Sequence, residues 1–187
     1  MKINANRAGL VMAEALLTVT MLAVVAVVLS GAFRSSLSMT SLSKNYLIGQ
    51  NLAVEGVEIV KQIRNTNWMI EPNDKGCWLV IDPSSGCDGG TKATTAVGNY
   101  VLLKTTNGSY KLVNDSSTTL YIDSVSKQFT SVAQNNNASK FSRAIKFTNI
   151  TVVNGVETDA TIEVTVSWKE GTQTSSVKVT EVITNSL

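Results

Sequence analysis

The 187-residue chain contains no histidine, only two cysteines and only two prolines. Without histidine it cannot form the Ser-His or Cys-His pairs of common nucleophilic enzymes, nor the usual zinc sites with imidazole ligands. Two cysteines are also too few for a cysteine-only zinc site or an iron–sulfur cluster. We therefore expect a protein that is not an enzyme and that holds neither a cofactor nor a metal ion.

The chain also lacks a strong charge of either sign. It has 16 basic and 14 acidic residues, a formal net charge of +2. Two of the basic residues, Lys2 and Arg7, lie in the first nine positions, where no acidic residue occurs. The rest of the chain is therefore neutral and offers no basic face for nucleic-acid phosphates, so we expect no nucleic-acid partner.

Hydrophobic residues are concentrated near the N-terminus. Segment 10–33 carries one charged residue, Glu14. As a helix it would be about 36 Å long, enough to cross a hydrocarbon core of about 30 Å. Lys2 and Arg7 before it predict a cytoplasmic N-terminus and an exported C-terminal part. A secretory signal peptide cut near residues 30–32 (Ser-Gly-Ala) is an alternative.

Glu14 does not fit a simple membrane anchor. An acidic side chain costs free energy inside a bilayer, although the cost falls near the end of the span. In one interpretation the carboxylate reaches the headgroups and has no further role. In the other it pairs with a positive charge inside an assembly, such as an amino terminus created by cleavage nearby.

The residues around Glu14 provide such a cleavage site. Arg7 and Gly9 precede Leu10, and Glu14 is the fifth residue after Gly9. This arrangement resembles the leader of type IV prepilins and type II secretion pseudopilins. The resemblance implies that a prepilin peptidase cuts after Gly9 on the cytoplasmic side and methylates the new amino group of Leu10. It also implies that Glu14 neutralises the amino terminus of a neighbouring subunit in a filament.

The same resemblance implies partners and a location. The precursor would lie in membrane lipid of the bacterial inner membrane and meet an inner-membrane assembly platform. The mature chain would join copies of itself or other pilins in a helical filament on the cell surface. Major and minor subunits, and pilus, secretion pseudopilus and DNA-uptake filament, remain open. So does a membrane-anchored binding or adhesion module that does not polymerise.

Segment 34–68 lacks proline and has an apolar stripe at helical spacing. The stripe consists of Leu52, Ala53, Val57, Ile59, Val60 and Ile63. We predict one continuous helix from about residue 10 to about residue 65, with two helices separated by a break as the alternative. Gly49 and Gly56 are either weak points or places where a sheet packs closely. Stretches 51–58 and 63–68 also resemble the helix end of PilV-like minor pilins.

Short strands are predicted after Trp68. They cover 78–81, 100–105, 110–113, 119–122, 141–153, 160–168 and 176–184. Alternation in 161–168 places Ile162, Val164, Val166 and Trp168 on one face, and turns at 107–108 and 169–172 predict hairpins. The predicted fold class is α+β, with a long N-terminal helix packed on a C-terminal antiparallel sheet, which is also the pilin-like layout that the resemblance implies.

The predicted organisation has four parts. Residues 1–9 form a basic leader that is removed, 10–33 a transmembrane or filament-core helix, 34–68 its amphipathic continuation, and 69–187 a globular β domain. Cys77 and Cys87 do not have the spacing of a redox or zinc-ribbon motif. Because the domain is predicted to be exported, we predict that they form a disulfide, with two reduced thiols in a loop as the alternative.

Overall fold

The computed structural model describes residues 5–70, 77–81, 100–105, 108–115, 117–133, 136–154 and 156–185. Its first element, α1, is the helix Ala5–Ile70. The helix is unbroken, which confirms the predicted continuity and extends beyond the predicted limits at both ends. The chain divides into two compact units, Met1–Asn45 and Tyr46–Leu187.

Strands follow the helix in the second unit. They are β1 (Tyr100–Lys104), β2 (Tyr110–Asn114), β3 (Thr119–Ile122), β4 (Phe129–Thr130), β5 (Asn137–Val153), β6 (Val156–Glu170) and β7 (Gln173–Thr184). The strand predicted over 78–81 is wrong. The Val80 N–H donates to the Cys77 carbonyl at 3.0 Å, which closes a turn instead of extending the chain. Strand β4 was not predicted.

The strands form one antiparallel sheet around β5. One edge of β5 pairs with β6, and β6 pairs in turn with β7. The other edge of β5 holds two hairpins, β1–β2 and β3–β4. Thr119 of β3 faces Ser142 of β5, and Tyr100 of β1 faces Ile145 of β5. The long β5 therefore joins every part of the sheet, which confirms the predicted α+β layout.

The hairpin between β6 and β7 has a tighter turn than residues 169–172. Lys169 still pairs with Thr174, and Glu170 with Gln173, so the loop is Gly171 and Thr172 alone. Gly171 has a φ of 62°. A two-residue loop of type II′ requires positive φ at its first position, which glycine adopts without steric cost. The predicted turn is correctly located but two residues too long.

The core of the second unit lies between α1 and the sheet. All six residues of the predicted helix stripe and all four predicted inward residues of β6 are buried. A Cβ atom added to Gly49 would lie 2.7 Å from Cζ3 of Trp168, and one added to Gly56 would lie 2.9 Å from Cγ1 of Val164. Both glycines therefore mark close packing against β6, one of the two predicted alternatives.

Candidate functional site

The first unit presents an apolar helix surface. Every side chain of α1 from 9 to 44 is exposed, including Leu10 at 70% and Met12 at 74%. The helix is long and apolar enough to cross a membrane, with a mean hydropathy of 2.4 over its most apolar window. Exposed hydrocarbon of this extent normally marks contact with a membrane or a partner. The surface is compatible with membrane anchoring.

Hydroxyl groups in segment 10–33 do not interrupt this apolar surface. Thr18 donates to the Ala15 carbonyl at 2.9 Å, Thr20 to the Leu17 carbonyl at 2.9 Å and Ser30 to the Val27 carbonyl at 2.8 Å. These are all the hydroxyl side chains of the segment. Since each is satisfied within the helix, each can lie in hydrocarbon at little cost.

Glu14 differs from these hydroxyls. Within the described part of the chain its carboxylate has no hydrogen-bond or ion-pair partner. It lies one helical turn after Leu10 on the same face, about 6 Å along the axis. The face therefore carries an acidic group that has no partner among the described residues.

The predicted processing residues lie near the start of α1. Gly9 is helical, and a Cβ atom added to it would meet nothing within 4 Å. Leu10 follows it with its side chain exposed. Gly9 is the fifth residue of α1, so the Gly9–Leu10 bond follows directly after the four residues whose N–H groups have no partner within the helix. Residues 1–4 of the predicted leader lie outside the described residues.

The structure describes one of the two cysteines predicted to form a disulfide, Cys77. Cys77 is fully buried and disulfide-bonded. The other cysteine, Cys87, and residues 82–86 before it lie outside the described residues. Asn67, buried at the end of α1, donates from Nδ2 to the carbonyls of Trp78 at 3.2 Å and Val80 at 2.8 Å. These bonds hold the segment next to Cys77 against the helix.

Arg143 is a buried charge that the sequence analysis missed. It is 4% exposed and lies in the inward row of β5 with Phe141, Ile145 and Phe147. Its Nη1 atom donates to the Leu52 carbonyl at 3.2 Å and lies 3.5 Å from Oε1 of Glu55. Desolvation lowers the pKa of Arg143, and the nearby Glu55 carboxylate opposes that shift. The guanidinium remains charged because arginine does not lose its proton in proteins.

A signal for Arg143 was present in the sequence. In 141–147 the large apolar residues occupy alternate positions, and Arg143 is in phase with them. A charged residue in the core-facing row of a strand needs partners, so it marks a polar contact with whatever covers the sheet. The sequence did not indicate that Leu52 and Glu55 of α1 provide that contact.

Potential metal-ligating side chains do not cluster in the described ranges. These ranges contain no group of three or more His, Cys, Asp or Glu side chains placed to hold a metal ion.

Comparison of the chain with protein-family models, with curated proteins and with solved structures gives no match in any of the three.

Proposed function

We propose that the chain is a structural subunit, a major or minor pilin, of a type IV pilus or a related filament. In this proposal a prepilin peptidase removes residues 1–9 and methylates the amino group of Leu10. Segment 10–33 anchors the subunit in the inner membrane before assembly and forms the filament core afterwards. The unit Tyr46–Leu187 is exported and contributes the filament surface.

One observation carries this proposal. The exposed apolar segment 10–33 of α1 has a single acidic side chain, Glu14, which has no partner among the described residues and lies one turn after the Leu10 that follows Gly9. A plain membrane anchor needs neither the glycine nor the glutamate. In a bundle of such helices Glu14 would neutralise the amino terminus of Leu10 on a neighbouring subunit. Because an unpaired charge is costly in an apolar bundle, this pairing would also fix the axial register of the subunits.

The first test is the intact mass and N-terminal sequence of the mature protein, taken from the membrane or filament fraction of cells that assemble it. We expect a chain that starts at Leu10 with one added methyl group. A chain that starts at Met1 would contradict the proposal and favour an anchored module. A chain that starts near Phe33 would contradict it in favour of a secreted domain.

Two glycine variants make this test specific. Gly9→Val should leave an uncut precursor, because the residue before the scissile bond is changed. Gly31→Val is the matched control, since an added Cβ meets nothing within 4 Å at either position. The control should still start at Leu10. Normal processing of Gly9→Val would show that the cleavage site has been misplaced.

A further inference from the structure

The unit Tyr46–Leu187 contains a polar cavity of about 220 Å³. It lies where α1 meets β1, β2 and the β3–β4 hairpin. Its walls include four charged side chains and two aromatic ones: Glu55, Lys104, Asp123, Arg143, Tyr110 and Phe129. The cavity is smaller than the roughly 300–1,000 Å³ of sites for drug-sized ligands, so a ligand would have only a few heavy atoms.

Arg143 is the buried charge in this cavity. Among the described residues only its Nη1 atom has acceptors, namely the Leu52 carbonyl and the Glu55 carboxylate. The Nε and Nη2 atoms carry three of the five guanidinium N–H donors, and the described residues supply no acceptor for them. Buried donors without acceptors cost free energy, which a ligand with suitably placed oxygens would recover.

The geometry of these donors favours a carboxylate. The two oxygens of a carboxylate match two neighbouring N–H groups of a guanidinium, which gives a pair of parallel, charge-assisted hydrogen bonds. Lys104, also on the cavity wall, adds a second positive charge.

The charges of the cavity limit the ligand to a single negative charge. Arg143 and Lys104 are balanced by Glu55 and Asp123, so the four side chains sum to zero. A dianion such as hydrogen phosphate would meet the carboxylates of Glu55 and Asp123 on the cavity wall, and like charges brought together lower affinity. A monoanion can use the arginine with less repulsion.

The loop on one side of the cavity is already ordered. Oδ1 of Asp123 accepts hydrogen bonds from the N–H groups of Val125 at 3.0 Å and Ser126 at 2.6 Å. The bonds from Ser126 are the main cause of the lowered pKa of Asp123. The Asp123 N–H also donates to the Gln128 carbonyl at 2.9 Å. A preformed wall reduces the entropy lost on binding.

Aromatic side chains line part of the cavity. Phe129 packs edge-to-face on Phe141, with 5.8 Å between ring centroids, and Tyr110 is half-buried on β2.

We propose that the cavity binds a small organic monocarboxylate. Nε and Nη2 of Arg143 hold its carboxylate, and its short hydrocarbon chain lies against Tyr110 and Phe129. This proposal does not depend on filament assembly.

The test titrates the full chain in non-ionic detergent micelles with sodium butyrate. The readouts are calorimetry and the side-chain N–H resonances of ¹⁵N-labelled arginine. We expect saturable binding with a Kd on the order of 1 mM, the strength typical of a ligand with few heavy atoms. Butyramide, which is neutral, and inorganic phosphate should each bind roughly tenfold more weakly or not at all.

Variants separate a binding role from a structural one. Glu55→Gln should tighten butyrate binding several-fold, because it removes a negative charge beside the anion. Lys104→Met should weaken binding by about threefold, whereas Lys146→Met, an exposed lysine of β5 away from the cavity, should not change it. Arg143→Lys keeps the charge but loses the planar fork, and should weaken binding by roughly tenfold.

Three results would overturn the proposal: no saturable binding of butyrate, equal binding of phosphate or butyramide, or identical behaviour of Lys104→Met and Lys146→Met. If Arg143→Lys does not fold, Glu55→Gln and Lys104→Met decide the matter, since both side chains lie partly in solvent.

Discussion

The two halves of α1 share one backbone and differ in what covers their side chains. From residue 9 to residue 44 every side chain is exposed, whereas six apolar side chains between Leu52 and Ile63 are buried against the sheet. Segment 10–33 of the first half is apolar on every side apart from Glu14 and its few hydroxyl residues, and the second half has one apolar stripe. A stripe is the pattern that one sheet can cover, whereas an all-round apolar surface needs a membrane or several neighbouring helices.

The acidic residues of the two halves differ in the same way. Glu55 lies beside Arg143, and Glu58 pairs with Lys61 at 3.0 Å. Glu14 has no partner within the described residues. Glu55 and Glu58 of the second half therefore have basic partners within their own unit, whereas Glu14 has none among the described residues. Substitutions at equivalent side chains in the two halves should separate assembly from stability.

The largest expected effect is the loss of assembly in Glu14→Ala. Membrane insertion should continue, because the variant is more apolar than the parent, but incorporation into filaments should fall to background. Thr18→Ala is the matched control: it lies one turn further on, and its hydroxyl bonds only within the helix. The measurement compares subunit in sheared filaments with subunit in membranes. Normal filaments from Glu14→Ala would show that the carboxylate does not set register.

The next largest effect is expected from a valine-to-alanine substitution, made once in each half of α1 in two separate variants. Val57 is 1% exposed and Val25 is 54% exposed. Val57→Ala should lower the free energy of unfolding of the second unit by about 2 kcal/mol, through lost burial and a residual cavity. Val25→Ala should leave it unchanged. Urea unfolding in detergent micelles, followed by tryptophan fluorescence, measures the free energy of unfolding of both variants. Equal losses of stability would contradict the conclusion that only the second half of α1 contributes to the core of the second unit.

Glycine-to-alanine substitutions should change the free energy of unfolding by a smaller amount, because the gain in helix propensity partly offsets the cost of overpacking. Gly56→Ala brings a methyl group against Val164 and the Arg143 side chain, and overpacking of this kind costs about 1–3 kcal/mol. Alanine recovers about 1 kcal/mol of helix propensity, so the net loss should be at most about 2 kcal/mol. Gly31→Ala meets nothing within 4 Å and should not destabilise the second unit. A stabilised Gly56→Ala variant would mean that the sheet moves away without cost.

Much of this comparison could be predicted from the sequence. The helix stripe and the inward row of β6 follow from periodicity, which reports which face of an element is buried. The apolar run of segment 10–33 with its isolated acid, Glu14, follows from local composition and length. Each of these features is local, because a few neighbouring residues determine it.

The features that could not be predicted depend on contacts between distant parts of the chain. The carbonyl of Leu52 accepts from Arg143, which is 91 residues away in the sequence. The turn at 77–81 is held by Asn67 from the end of α1, whereas its apolar residues favoured a strand. In neither case does periodicity in the sequence indicate which distant residue is the partner. The cavity beside Arg143 was missed for the same reason, since residues from α1, β1, β2, β5 and the β3–β4 hairpin form it.

The smallest expected effect is that of replacing Lys61, a side chain of the second half of α1 that forms an ion pair with β7 of the sheet. Its Nζ atom lies 2.6 Å from Oε1 of Glu181 on β7 and 3.0 Å from Oε1 of Glu58. Hydrogen bonds to Glu181, and then to Glu58, raise the pKa of Lys61. The stability from this pairing is therefore fully present below the unfolded value of about 10.4 and is lost as the pH rises through the higher folded value.

Lys61→Met should accordingly cost a few tenths of a kcal/mol to about 1 kcal/mol near neutral pH, since partly exposed ion pairs contribute little. Urea unfolding of the parent and the variant, measured from about pH 7 to about pH 11.5, should show this difference shrinking only above about pH 10.4. Lys44→Met, an exposed lysine of α1 before Tyr46, is the control and should show no such step. A difference that stays constant to the highest pH would mean that the methylene chain of Lys61, not its charge, stabilises the contact between α1 and β7.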